Sequence, residues 1–203
     1  MNIKKYLGPL SKDNPISVQI LGVCSALAVT AQMKPALVMG LAVTIVAGIS
    51  NLIISSIRKT IPNRIRIIVQ LVVVASLVII VDQFLQAFFY DVSKMLSVFV
   101  GLIITNCIIM GRLEAFALGN KPLPSLIDGL ANGAGYGLVL VIVAFFRETL
   151  GSGTLWSYRV IPESFYENGY LNNGMMTLPS MALIIIGVMV WIHRTKNPDL
   201  QEN

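Results

Sequence analysis

The sequence predicts an all-α integral membrane protein of six transmembrane helices, built as two inverted three-helix repeats. Three observations carry that expectation: a shortage of charge, the even spacing of neutral runs, and an internal repeat. Of 203 residues, 55% are apolar and 12% are charged, about half the roughly 25% charged residues of soluble domains. The mean hydropathy is +0.76. Twenty-five charges are too few to cover a soluble surface of this size, and disorder needs the opposite composition. The net charge of +5 comes from 15 scattered cations rather than one basic stripe, so no nucleic-acid partner is expected. The lipid bilayer is the expected surrounding.

The charges bound the elements in order. Twenty uncharged residues separate Asp13 from Lys34, and 23 separate Lys34 from Arg58. From Ile67 to Tyr90 the one charge is Asp82. Met95–Gly111, Gly129–Phe146 and Asn168–Ile192 are neutral over 17, 18 and 25 residues. Crossing about 30 Å of hydrocarbon takes roughly 20 apolar residues, which gives spans near 16–33, 36–57, 67–89, 95–111, 128–147 and 174–193. Apolar residues lie on every face of these runs, unlike the single stripe of a soluble helix. Nor is there the ten-residue alternation of an outer-membrane barrel.

Alternate sides of six spans hold eleven and four Lys and Arg residues. The richer side is expected to be cytoplasmic and carries both termini. Met1–Pro15 is polar, and the run after it lacks a small-residue cleavage site, so no signal peptide is expected.

The repeat links Gly40–Arg58 (GLAVTIVAGISNLIISSIR) to Gly129–Arg147 (GLANGAGYGLVLVIVAFFR). Both open with Gly-Leu-Ala and reach Arg 18 residues later. Each is preceded by Lys-Pro (Lys34-Pro35, Lys121-Pro122), and each preceding span holds one of the two cysteines, Cys24 and Cys107. Three spans per half force the second half to enter from the opposite side, which is an inverted repeat. One polytopic domain over 1–203 is expected, with halves at about 14–90 and 94–195. Gly129, Gly133 and Gly137, four apart, suit close helix packing.

The first span of each half is the interrupted one, with Gly22 beside Cys24 and Asn106 beside Cys107. Interrupted spans in matching places point to a midplane site. Taken singly, a membrane-helix cysteine is a small apolar filler. Taken as a pair, Cys24 and Cys107 are two of the four thiolates that an iron–sulfur or structural zinc centre needs. The other two would come from another subunit. Breaks near Gly22–Ser25 and Thr105–Ile108 are expected, since a buried anionic centre needs free backbone N–H groups. Asp82 and Asp128 are the acids nearest membrane depth and the candidates for a cation pathway. Each could equally be an interfacial end-residue, with Asp128 favouring a helix N-terminus. Arg147-Glu148 reads as a helix anchor, and the aromatics of Leu150–Asn173 as an interface belt or subunit contact. No catalytic residue and no nucleotide-binding GxGxxG is present.

The stretches NPISVQILGVCSALAVT, RIIVQLVVVASLVIIVDQ, SVFVGLIITNCIIMGRLEAFA, PSLIDGLANGAGYG and FFRETLGSG closely resemble the D-type membrane subunits of bacterial sodium-translocating NADH:quinone reductases. The resemblance runs from Asn14 to Thr195. The paralogous RNF complex subunits are the alternative assignment, and a small inverted-repeat secondary transporter is the other. The resemblance implies a translocase subunit with no complete active site of its own, in the bacterial inner membrane. It implies that Cys24 and Cys107 are two ligands of an intramembrane [2Fe-2S] centre completed by the homologous E-type subunit. NAD, FAD, FMN and quinone would be bound by other partners among the A-, B-, C- and F-type subunits, and Na+ would be the ion moved.

Overall fold

The computed structural model describes residues 15–16, 18–62, 64–88, 100–155, 158–159 and 174–197. Its first half holds α1 (Val23–Val29), α2 (Met33–Ile57) and α3 (Arg66–Phe88). Its second half opens with two short helices, α4 (Val100–Ile104) and α5 (Cys107–Arg112), and a π-helical turn at Leu113–Ala117. Then come α6 (Pro122–Gly151), a two-residue antiparallel pairing of β1 (Thr154–Leu155) with β2 (Tyr158–Arg159), a 3-10 turn at Gly174–Thr177, and α7 (Pro179–Lys196). The protein is a helical membrane protein.

Among the described residues, α2, α3 and α6 are long and apolar enough to cross a membrane. At 25, 23 and 30 residues they measure roughly 35 to 45 Å. The other three predicted spans take other forms. The first is reduced to the seven residues of α1, and the fourth is cut between α4 and α5. The sixth begins at Pro179, whose ring suits the first helical position. The fifth starts seven residues earlier than its neutral run, because Pro122 opens α6. Most of the stretch from Leu150 to Asn173, with Trp156, Phe165, Tyr166 and Tyr170, lies outside the described residues.

The core is a seam between α2 and α6. A Cβ on Gly133 would stand 2.6 Å from Thr44 Cα, one on Gly129 2.5 Å from the Ala47 carbonyl oxygen, and one on Gly40 2.9 Å from Gly137 Cα. No side chain fits in those places, so glycine lets the two backbones touch. Farther along, Asn51 Nδ2 donates to the Ser125 carbonyl at 3.1 Å and Ser55 donates to that of Asn120. Partners on α6 fall in number as those on α2 rise, so the helices run antiparallel. By contrast, α3 buries Gln70, Val74 and Val78 and exposes Ile67, Ile68, Val72, Ile79, Ile80 and Phe84. An apolar exterior of this kind matches lipid tails, where association relies on close packing rather than on water exclusion.

Candidate functional site: two cysteines on one cleft

The helix is broken just before Cys107, as expected, while at Cys24 a helix begins after non-helical residues, and the two arrangements rest on different local chemistry. Before α1, the Leu21 N–H donates to the Pro15 carbonyl at 2.9 Å, and the chain turns through Ile20 (φ 55°) and Gly22 (φ 77°). Left-handed backbone disfavours side chains, so glycine suits the second position. Space favours it too: a Cβ on Gly22 would meet Ile108 Cδ1 at 2.8 Å and Tyr136 Cε2 at 3.1 Å. Helix α1 then starts at Val23, with Cys24 in its first turn.

In the second half, α4 stops at Ile104 and Asn106 is extended (φ −67°, ψ 119°). Its side-chain oxygen accepts from the Ile108 N–H at 3.2 Å, an N-cap that restarts the helix. Cys107 is the first residue of α5. Both thiols therefore stand in the opening turn of a helix, where backbone N–H groups lack intrahelical partners.

The two segments meet at one small cleft of about 20 Å³, lined by Gly22, Cys24 and Ser25 from one side and Leu102, Thr105, Asn106 and Cys107 from the other. Both cysteines are free thiols and both are exposed. They open outward from this chain rather than into its core. Among the described residues, no set of three or more His, Cys, Asp and Glu converges. The donor set on this open face is two cysteines, which matches half of a four-thiolate centre.

Beneath the cleft lies Tyr136, fully buried on α6. Its hydroxyl is 2.6 Å from Ser25 Oγ and accepts from Asn106 Nδ2 at 3.5 Å. Ser25 Oγ also lies 3.0 Å from the Gly22 carbonyl oxygen. Sequence reading missed Tyr136. Its one signal is the Gly-Ala-Gly-Tyr-Gly setting, where glycines at 133 and 137 meet α2 and the large ring turns elsewhere.

The acids sit apart from the cysteines. Asp128 lies six residues inside α6 rather than in its first turn, and is 7% exposed. Arg112 grips it through Nε at 2.9 Å and through a second bond from Nη2, and Asn132 Nδ2 adds a third at 3.2 Å. Asp82 lies within α3, where Oδ2 accepts from Gln86 at 2.8 Å and Oδ1 is buried with no hydrogen-bond partner among the described residues.

Arg147 and Glu148 do anchor helix ends. Arg147 is buried and donates to Thr30 Oγ1 at 2.6 Å and to the carbonyls of Leu27, Met176, Thr177 and Leu178. Glu148 accepts from the Met33 N–H at 2.7 Å, at the start of α2. Arg58 makes the smaller version, donating to the Asn120 carbonyl.

Glycine-sewn antiparallel helices, flanked by short helices that each present a cysteine, define a membrane-embedded subunit rather than a soluble enzyme. The chain belongs to the Rnf-Nqr family, described as "Rnf-Nqr subunit, membrane protein", which matches residues 2–190. It is 58% identical over 195 residues to the D subunit of the Na(+)-translocating NADH-quinone reductase of Aeromonas hydrophila subsp. hydrophila, covering 96% of this chain and 93% of that one. Proteins of the same name from two strains of Haemophilus influenzae are 56% identical over 197 residues, covering 97% of this chain and 94% of each.

Proposed function

We propose that this chain is the D-type membrane subunit of a sodium-translocating NADH:quinone reductase. In this reading Cys24 and Cys107 supply half the ligands of an intramembrane [2Fe-2S] centre. The observation that carries the reading is the shared cleft: residues 83 apart in sequence, at the starts of separate helices, expose both thiols on one face. A centre of that kind supplies one-electron transfer, here between NADH-reduced FAD and FMN held by other subunits. This chain's own contribution is to hold two thiolates at fixed spacing and leave their outer side open. A homologous E-type subunit would complete the set, with the A-, B-, C- and F-type subunits as the remaining partners. The location is the bacterial inner membrane, with both termini in the cytoplasm.

The reading of two inverted halves, about 14–90 and 94–195, draws support from the α2–α6 seam. Counting from Gly40 and Gly129, Thr44 and Gly133 each stand four residues on, and they meet each other. Gly40 meets Gly137, eight residues past Gly129, while Gly129 meets Ala47, seven past Gly40. The contact set nearly maps onto itself when the halves are exchanged. Arg58 and Arg147, each 18 residues on, both reach the chain that follows the cysteine of the opposite half.

Iron and acid-labile sulfide in the purified complex test the ligand assignment. Cys24→Ala and Cys107→Ala should each lose about two iron and two sulfide per complex, as a two-iron cluster requires; unchanged content defeats it. For the cation route, Asp82 and Asp128 are the proposed candidates, with Arg112 required to release Asp128 before a cation can bind it. Sodium-dependent turnover of Asp82→Asn and Asp128→Asn separates them. Lost sodium dependence assigns the residue, and unchanged dependence removes it.

A further inference from the structure

We infer that Tyr136 is a positioning residue that sets the spacing between the two thiols through Ser25 and Asn106. The inference rests on the ligand reading above for its purpose, and on separate geometry for its substance. Ser25 directly follows Cys24 and Asn106 directly precedes Cys107. One hydroxyl, Tyr136 Oη, touches both side chains. The segments it joins are helices of seven, five and six residues, too short to hold their own shape without packing. Tyr136 instead belongs to the 30-residue α6, fixed to α2 by the backbone contacts at Gly133 and Gly137.

The ring completes the device. A Cβ on Gly22 would stand 2.8 Å from Ile108 Cδ1 and 3.1 Å from Tyr136 Cε2, so the turn before Cys24 packs closely on the ring and on the residue after Cys107. Tyr136 is fully buried, and in a low-dielectric surrounding its hydrogen bonds are strong and costly to leave unmade. The first half offers no counterpart. Seven residues after Gly129 stands Tyr136, and seven after Gly40 stands Ala47. A single tyrosine therefore references both cysteines to the rigid seam.

Tyr136→Phe keeps the ring and removes the hydroxyl, and the whole reductase complex is the material to test. Iron content should stay at the wild-type level, while the g-values of the reduced centre and its midpoint potential shift. After iron is stripped with a chelator, linking of Cys24 to Cys107 by a short bifunctional thiol reagent should fall several-fold. Ser25→Ala removes the same bond from the other side and should reproduce both changes, which decides the matter if Tyr136→Phe fails to assemble. Spectrum, potential and linking yield all equal to wild type overturn the inference. Iron that survives both cysteine-to-alanine changes defeats the ligand reading alone; the linking yields of wild type and Tyr136→Phe then still decide the role of Tyr136.

Discussion

The two halves reach the same end by unlike means, and the difference separates what the site requires from how each half supplies it. The first half places Cys24 after a turn that favours glycine, set by the left-handed Gly22 and the close approach of Ile108 and Tyr136 beside it. The second half places Cys107 after an extended Asn106 whose side chain caps the new helix. One start depends on an absent side chain and the other on a present one. Both deliver a thiol in an opening helical turn, so the shared feature is a helix start at the cysteine rather than any particular motif. The anchoring arginines diverge similarly. Arg147 satisfies four carbonyls and a hydroxyl from within the core, while the half-buried Arg58 satisfies one carbonyl.

This contrast can be broken from its centre outward. Gly133→Leu should damage both halves together, because its Cβ alone would stand 2.6 Å from Thr44 Cα. Forcing apart two backbones is overpacking of the severe kind, roughly 3 kcal/mol or more, and little assembled complex should be recovered from membranes. Arg147→Met should cost about 3 kcal/mol, since several buried carbonyls lose their donor. Arg58→Met should cost about 1 kcal/mol or less; thermal unfolding in detergent compares the two, and equal losses would erase the asymmetry. Gly22→Ala should cost about 2 kcal/mol from left-handed strain alone, with the contact at Ile108 added. Asn106→Ala, which removes an N-cap, should cost about 1 kcal/mol. If Asn106→Ala unfolds at the lower temperature of the two, the assignment of strain to the turn before Cys24 is wrong.

Much of this was legible from where charges and glycines fall. The neutral runs located α2, α3 and α6, and the Gly-Leu-Ala repeat marked the two helices that form the seam. The helix start at each cysteine could be read because Gly22 and Asn106 are poor residues for a helix interior. Charge position alone did not reveal the setting of Asp128. Its carboxylate lies within α6 and pairs with Arg112, 16 residues earlier in the chain. Arg112 itself looked like the end of a span, whereas the helix runs on through a π turn to Ala117. Tyr136 was hidden for a different reason. Its partner Ser25 lies 111 residues away, and no local pattern encodes a hydrogen bond that only the packed seam creates.

The most direct measurement is the EPR spectrum of the reduced complex carrying Cys24→Ser or Cys107→Ser. A serine oxygen can take a thiolate's place on iron while altering its electronics, so ligation by these residues predicts a retained signal with shifted g-values and a changed midpoint potential in each variant. Spectra and potentials identical to wild type in both would contradict the account.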